Sequence, residues 1–163
     1  MPIVVFTVPG TPFAQPRHQI GRTKTGQRVA YLPKLRDRRT GEFTREHPAV
    51  AWKTAVGLYA NSNKHPDWPI PKGQAVGLVC AFQKPAVRHA RTQDWVSVPD
   101  WDNLAKAIAD SLRGIAFDDD SQVIRGIELK DYSSQPGATV RIVWGESLDR
   151  LRDRLAVLLE ALE

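Results

Sequence analysis

Residues 15–47 hold no sustained helical or strand period, and this gap most narrows what the chain can fold into. Gly21, Gly26, Pro33 and Gly41 punctuate the stretch, and only Val29-Ala30-Tyr31-Leu32 reads as a short strand. A long irregular segment in a compact domain is functional or disordered. The core must therefore come from the rest of the chain. Pro2–Val8 is β-branched and apolar on both parities, which predicts a buried strand. Val76, Leu78, Cys80 and Phe82 alternate with small residues and predict a second strand. Two more are expected over about Gln122–Lys130 and Ala138–Trp144, with a turn between them.

Two helices fill the gaps between these strands. The first is expected from about Pro48, which suits an opening turn, to Asn61, with Val50, Thr54, Val56 and Leu58 facing inward. The second is expected from about Trp101 to Arg113, with Leu104, Ala107, Ile108, Ser111, Leu112 and Ile115 facing inward and Gly114 as its stop. Asn61–Gly73, with three prolines, and Lys84–Val98 read as connections. The fold class is α/β in an α+β-like arrangement, a small mixed sheet packed with two main helices over residues 1–145. An amphipathic helix follows over 146–163, where Leu148, Leu151, Leu155, Leu158 and Leu162 recur at spacings of 3, 4, 3 and 4. Its leucine seam suits docking, either on its own subunit or across a dimer.

Charge divides the chain more sharply than its total of +5 suggests. Residues 1–93 carry 15 Lys/Arg against 4 Asp/Glu, whereas residues 94–163 carry 8 against 14. A basic half points to an anionic partner, above all nucleic acid, against the plainer reading of a solvated basic surface. The candidate phosphate contacts are Arg17, Arg22, Lys24, Arg28, Lys34, Arg36, Arg38 and Arg39 in the first irregular stretch, and Arg88 and Arg91 in the second. No apolar run approaches the roughly 20 residues of a membrane span, and no signal-peptide layout opens the chain. A single cysteine, Cys80, excludes an internal disulfide and a multi-cysteine zinc site. A reducing cytoplasm is the compartment expected.

Chemistry concentrates in Pro99-Asp100-Trp101-Asp102-Asn103-Leu104, with Lys106 and Asp110 beyond, and in Asp118-Asp119-Asp120-Ser121-Gln122-Val123. Asp100 and Asp102 are two apart, so in an extended stretch their carboxylates point the same way. Asp102, Lys106, Asp110 and Arg113 share a helix face opposite Leu104, Ile108 and Leu112. The second acidic turn folds back beside the first if helix and strand pack as a hairpin-like pair. Carboxylates of this kind hold hard cations, and a lysine among them offsets charge on a phosphate under attack. Each residue also has a plainer role: Asp102 as a helix N-cap, Asp118–Asp120 as a turn, and Lys106 as an i,i+4 partner of Asp102. Taken together the plain roles explain less, because adjacent aspartates repel one another. A calcium loop fails on spacing, an aspartate-nucleophile phosphatase lacks its strand before the motif, and Walker A and serine-triad signatures are absent.

The Pro99–Leu104 motif with Lys106, Asp110 and Asp119-Asp120-Ser121-Gln122-Val123 resembles the signature of the RusA family of Holliday junction resolvases. Val8-Pro9-Gly10-Thr11-Pro12 with Pro16-Arg17 resembles the opening of that family, and the likeness runs over roughly residues 3–144. The resemblance implies a homodimeric, Mg²⁺-dependent endodeoxyribonuclease, with Mn²⁺ as a substitute, that resolves four-way DNA junctions by paired symmetric nicks in recombination and repair. By position it places metal ligands at Asp100, Asp102 and Asp120, with Asp119 also matching an acidic position. It places the essential lysine at Lys106 and supporting roles at Asn103 and Asp110. The expected reaction is in-line attack by metal-activated water, leaving 5′-phosphate and 3′-hydroxyl ends. A branched-DNA-binding protein without cleavage remains an alternative. So does a nuclease of the same chemistry acting on flaps, forks or RNA. Trp101 and Phe13 are candidate wedges for the junction core, with burial in the protein core as the competing fate.

Overall fold

Val4, Phe6 and Val8 alternate with Ile3, Val5 and Thr7, and this alternation builds β1 (Ile3–Pro9) in the computed structural model of the chain. The structure describes residues 2–16, 19–31, 40–42, 47–86 and 94–160. β2 (Gln19–Arg22) and β3 (Arg28–Tyr31) are followed by α1 (Pro48–Ser62), β4 (Val76–Lys84) and α2 (Trp101–Leu112). A 3₁₀ turn at Asp120–Gln122 leads into β5 (Val123–Tyr132), β6 (Gly137–Trp144) and α3 (Glu146–Glu160).

The main sheet has the order β1-β6-β4-β5. β4 and β5 run parallel and the other two pairs antiparallel, so the sheet is mixed. Parallel neighbours need a crossover, and α2 is the helix of that βαβ unit. One face carries Val4, Phe6, Val8, Val76, Leu78, Cys80, Phe82, Val140 and Ile142 against α1 and α2, all in one core with Leu104, Ile108 and Leu112. Cys80 is sealed in this layer, and burial pushes its thiol well above the ordinary range, so it packs as an apolar side chain.

Three expectations need correction. β1 is not buried on both faces: it is an edge strand, with Ile3 and Val5 exposed on the side away from the helices. α1 does not turn Val50, Thr54 and Leu58 inward. It buries Ala49, Trp52, Val56 and Ala60, because seating the indole of Trp52 and bringing small residues against the core hides more surface than Leu58 alone. The stretch 15–47 is not wholly irregular either. β2 and β3 form a separate hairpin, closed by a Thr23–Gln27 turn in which Gly26 takes a positive φ of 83°.

α3 docks by its first two turns on the opposite face of the sheet. Leu148 is buried, and a side chain at Gly77 would meet Val143 Cγ2 at 2.7 Å and Leu148 Cδ1 at 2.8 Å. This glycine lets the helix lie directly on β4, so the described part of the leucine seam covers its own subunit. The side chains of Leu155, Leu158 and Leu162 lie outside the described residues.

Candidate active site

α2 begins where β4 and β5 end, the end of parallel strands at which α/β proteins gather their ligands. The chain reaches it through Trp95–Pro99, whose backbone is tied inward at three successive carbonyls. Lys130 Nζ, at the end of β5, donates to Ser97 O at 2.9 Å and Pro99 O at 2.7 Å. Trp95 Nε1 donates to Val98 O at 3.3 Å, and Lys84 Nζ reaches the same oxygen at 3.5 Å. The ammonium groups of Lys84 and Lys130 also sit 4.8 and 4.9 Å from the ring of the buried Trp95. Burial lowers the pKa of Lys130, and the nearby Asp100 carboxylate acts in the opposite direction.

This anchored turn delivers Asp100 as the N-cap of α2, but its carboxylate makes no capping hydrogen bond. Asp102 stands in the first helical turn, where the helix dipole favours negative charge. The pair is therefore not presented by an extended stretch as expected: the helix starts between them. They still converge on one open cleft of about 490 Å³, together with Val96, Ser97, Val98, Trp101 and Lys130. That volume is enough for a nucleotide.

Lys106 follows one turn after Asp102 and is half-exposed. Its Nζ lies 3.3 Å from Asp110 Oδ1 and 3.7 Å from Asp120 Oδ2. The second acidic turn thus does return to α2, at Lys106. The described partners of Lys106 are Asp110 and Asp120, rather than the i,i+4 partner Asp102. Asp110 also pairs with Lys53 of α1 at 3.7 Å, and Lys53 donates to Gln15 Oε1 at 3.2 Å. Gln15 N donates in turn to Asn103 O at 2.9 Å. Asp110 and Asn103 therefore fasten the start of the basic stretch to α2.

The three adjacent aspartates separate by geometry. Asp118 Oδ2 accepts from Lys72 N at 3.1 Å. Asp119 caps the 3₁₀ turn by accepting from Ser121 N and pairs with Arg113 at 3.3 Å. The hydrogen bond from Ser121, more than the arginine, holds its carboxyl below the usual range. Only Asp120 is directed at Lys106. Protein donors thus meet the charge of Asp118 and Asp119, so mutual repulsion in this turn does not by itself demand a cation. Gln122 fixes the whole turn. It is buried, its Nε2 donates among the carbonyls of Ile70, Pro71 and Gln74, and its Oε1 accepts from Asp119 N.

Among the described residues no three His, Cys, Asp or Glu side chains converge as a ready metal cage. Mg²⁺ does not require one. It is commonly held by one or two carboxylates, with water and substrate phosphate completing the shell. Asp100 and Asp102, hard oxygen donors on one open cleft, fit that description.

Of the candidate phosphate contacts, Arg22, Lys24 and Arg28 are exposed on the β2–β3 hairpin, where Arg22 and Arg28 are register partners. Arg17, Lys34, Arg36, Arg38, Arg39, Arg88 and Arg91 lie outside the described residues. The two candidate wedges part company: Phe13 packs against the core, whereas Trp101 is 59% exposed at the mouth of the cleft. Sequence reasoning missed Lys130 and Lys53, and it read Lys84 as a phosphate contact, whereas its ammonium faces Val98 O and the Trp95 ring.

An α+β chain with an acidic cleft at the ends of two parallel strands, and a lysine bridging to a second acidic turn, has the frame of a phosphodiester-cleaving enzyme. The family model of endodeoxyribonuclease RusA matches residues 9–143, and the chain belongs to this family of Holliday junction nucleases. No curated protein matches it. The match stops short of α3. No helix among the described residues is long and apolar enough to cross a membrane.

Proposed function

We propose that this chain resolves four-way DNA junctions as a Mg²⁺-dependent homodimer, making a symmetric pair of nicks. The observation that carries the reading is the meeting of α2 with the second acidic turn at Lys106, one helical turn from Asp102. Asp100 and Asp102 would hold the cation, while Asp120, the further acidic position of the family motif, faces Lys106. A cation held there would supply polarisation of the scissile phosphate and a lowered pKa for the attacking water. Lys106 is held between Asp110 and Asp120, where it would offset charge that grows on the phosphate oxygens. Lys130 holds the turn that aims Asp100. The hairpin arginines and Lys24 track the phosphates of an arm, which makes binding fall steeply with salt. A two-fold dimer matches the approximate two-fold symmetry of a four-way junction.

The test is cleavage of an end-labelled synthetic junction with Mg²⁺ or EDTA, beside duplex, flap and single-strand controls. Mg²⁺-dependent paired nicks in the junction alone are expected, from a protein that sediments as a dimer. Cleavage of the controls at equal rate would remove the substrate assignment, and cleavage in EDTA would remove the cation.

A further inference from the structure

Three of the large apolar side chains left exposed by this fold gather on one cleft. Val96 is 87% exposed, Val98 75% and Trp101 59%, and all three line the opening that holds Asp100 and Asp102. Exposed apolar groups are ordinary when scattered. These are concentrated beside the proposed reacting phosphate, and they are not carried by a slack loop. Trp95 N donates to Lys130 O at 3.1 Å just before Val96, and the carbonyls of Ser97, Val98 and Pro99 are drawn inward to Lys130 and Trp95, so the segment that carries Val96 and Val98 is tied at both ends. Trp101 is fixed by standing in the first turn of α2. A rigid apolar rim of this kind is prepared for a flat partner, since the ordering cost of binding is already met.

We infer that Val96, Val98 and Trp101 form a stacking site for one unstacked nucleobase beside the cut phosphate. This rests on the proposed cleavage of branched DNA. Base pairs in continuous duplex keep their faces stacked and have nothing to offer such a rim. A base at a branch point has a free face, and aromatic side chains take such faces regardless of sequence. A subunit contact is the competing occupant. Three side chains are too few for it, because a stable interface uses about 20–30 residues a side. The rim thus contributes to structure selectivity: it rewards DNA that can release a base next to Asp100 and Asp102.

The test is a cycle of protein and substrate changes. Junctions carry an abasic site at each nucleotide flanking the cut phosphate in turn, and are cut by wild-type and Trp101→Ala protein. Alanine is a good residue for the first helical turn, so the fold is retained. Trp101→Ala lowers kcat/KM on the intact junction about tenfold, the abasic junction costs wild type the same factor at one of the positions, and the two losses do not add. Trp101→Phe restores most of the rate. Losses that add at every position overturn the stacking site, as does a loss of dimer mass on Trp101→Ala, which would make the rim a subunit contact. The same cycle, read as junction affinity in the Asp102→Asn background, does not need cleavage. A protein that binds junctions with that coupling but never cuts them keeps the stacking site and loses the nuclease reading.

Discussion

The two acidic segments of this protein solve opposite problems. At Asp118–Asp120 every carboxylate has a described protein partner: the Lys72 amide, the Ser121 amide with Arg113, and Lys106. At Asp100–Asp102 neither carboxylate forms an ion pair with a described residue, and Asp100 declines even the capping bond its position invites. Yet the turn leading into that pair is tied down at three successive carbonyls, Ser97 to Pro99, by Lys130 and Trp95. A braced turn under carboxylates that pair with no described residue suits a ligand site, whereas paired charge on a turn is sufficient as structure. The difference assigns work to residues that look alike in the sequence.

The sharpest way to break the comparison is Asp102→Asn. It removes a charge that pairs with no described residue, so folding changes little and cleavage falls on the order of a hundredfold to a thousandfold. Junction affinity in a mobility-shift titration should stay near wild type. A variant that cuts normally would reduce Asp102 to a favourable first-turn charge. Lys106→Met comes next, with a loss of about a hundredfold carried in kcat rather than KM. If KM rises instead, Lys106 is one phosphate contact among many.

Lys130→Met tests whether the scaffold matters as argued. Two carbonyls lose their donor and the turn before Asp100 loosens, so cleavage drops about tenfold and the Mg²⁺ concentration for half-maximal rate rises. Lys130→Arg, which keeps donors within reach, should recover part of that midpoint. An unchanged midpoint with a lower melting temperature would leave Lys130 as a strand-end anchor only.

The main-sheet strands and the two helices packed on them were legible because their apolar periods are strong: Val76, Leu78, Cys80 and Phe82 at period two, Leu104, Ile108 and Leu112 at helical spacing. Which face a moderately apolar helix buries was not. Val50 and Leu58 look like core residues in isolation, and only the fit of Trp52 among small neighbours reverses the choice. β1 reads as doubly buried for a related reason, since nothing local tells a strand that it will lie at an edge. The motif aspartates were visible as a set, but their division of labour was not. It depends on Lys72 and on the buried Gln122, which ties the turn to residues 70–74 about fifty positions earlier. Lys130 was illegible as a site residue because its importance lies in two backbone carbonyls, and carbonyls have no letter in the sequence.

The smallest effect belongs to Asp119, and its sign follows from its partners. The Ser121 hydrogen bond and Arg113 hold its carboxyl below the usual value, so the folded state favours the ionised form. Stability from this group is present above the ordinary carboxylate pKa of about 4 and is lost as the pH falls through the lower folded value. Asp119→Ala should therefore lower the melting temperature slightly at pH 7, with the gap to wild type closing in acid below about pH 4. Cleavage at a temperature where both are folded should change by less than about threefold, because capping acts on the turn and not on the phosphate. A cleavage loss as deep as that of Asp102→Asn, with melting unchanged, would move Asp119 into the cation site. The two acidic segments would then form one functional unit, and the contrast between satisfied and unsatisfied charge would no longer separate structure from chemistry.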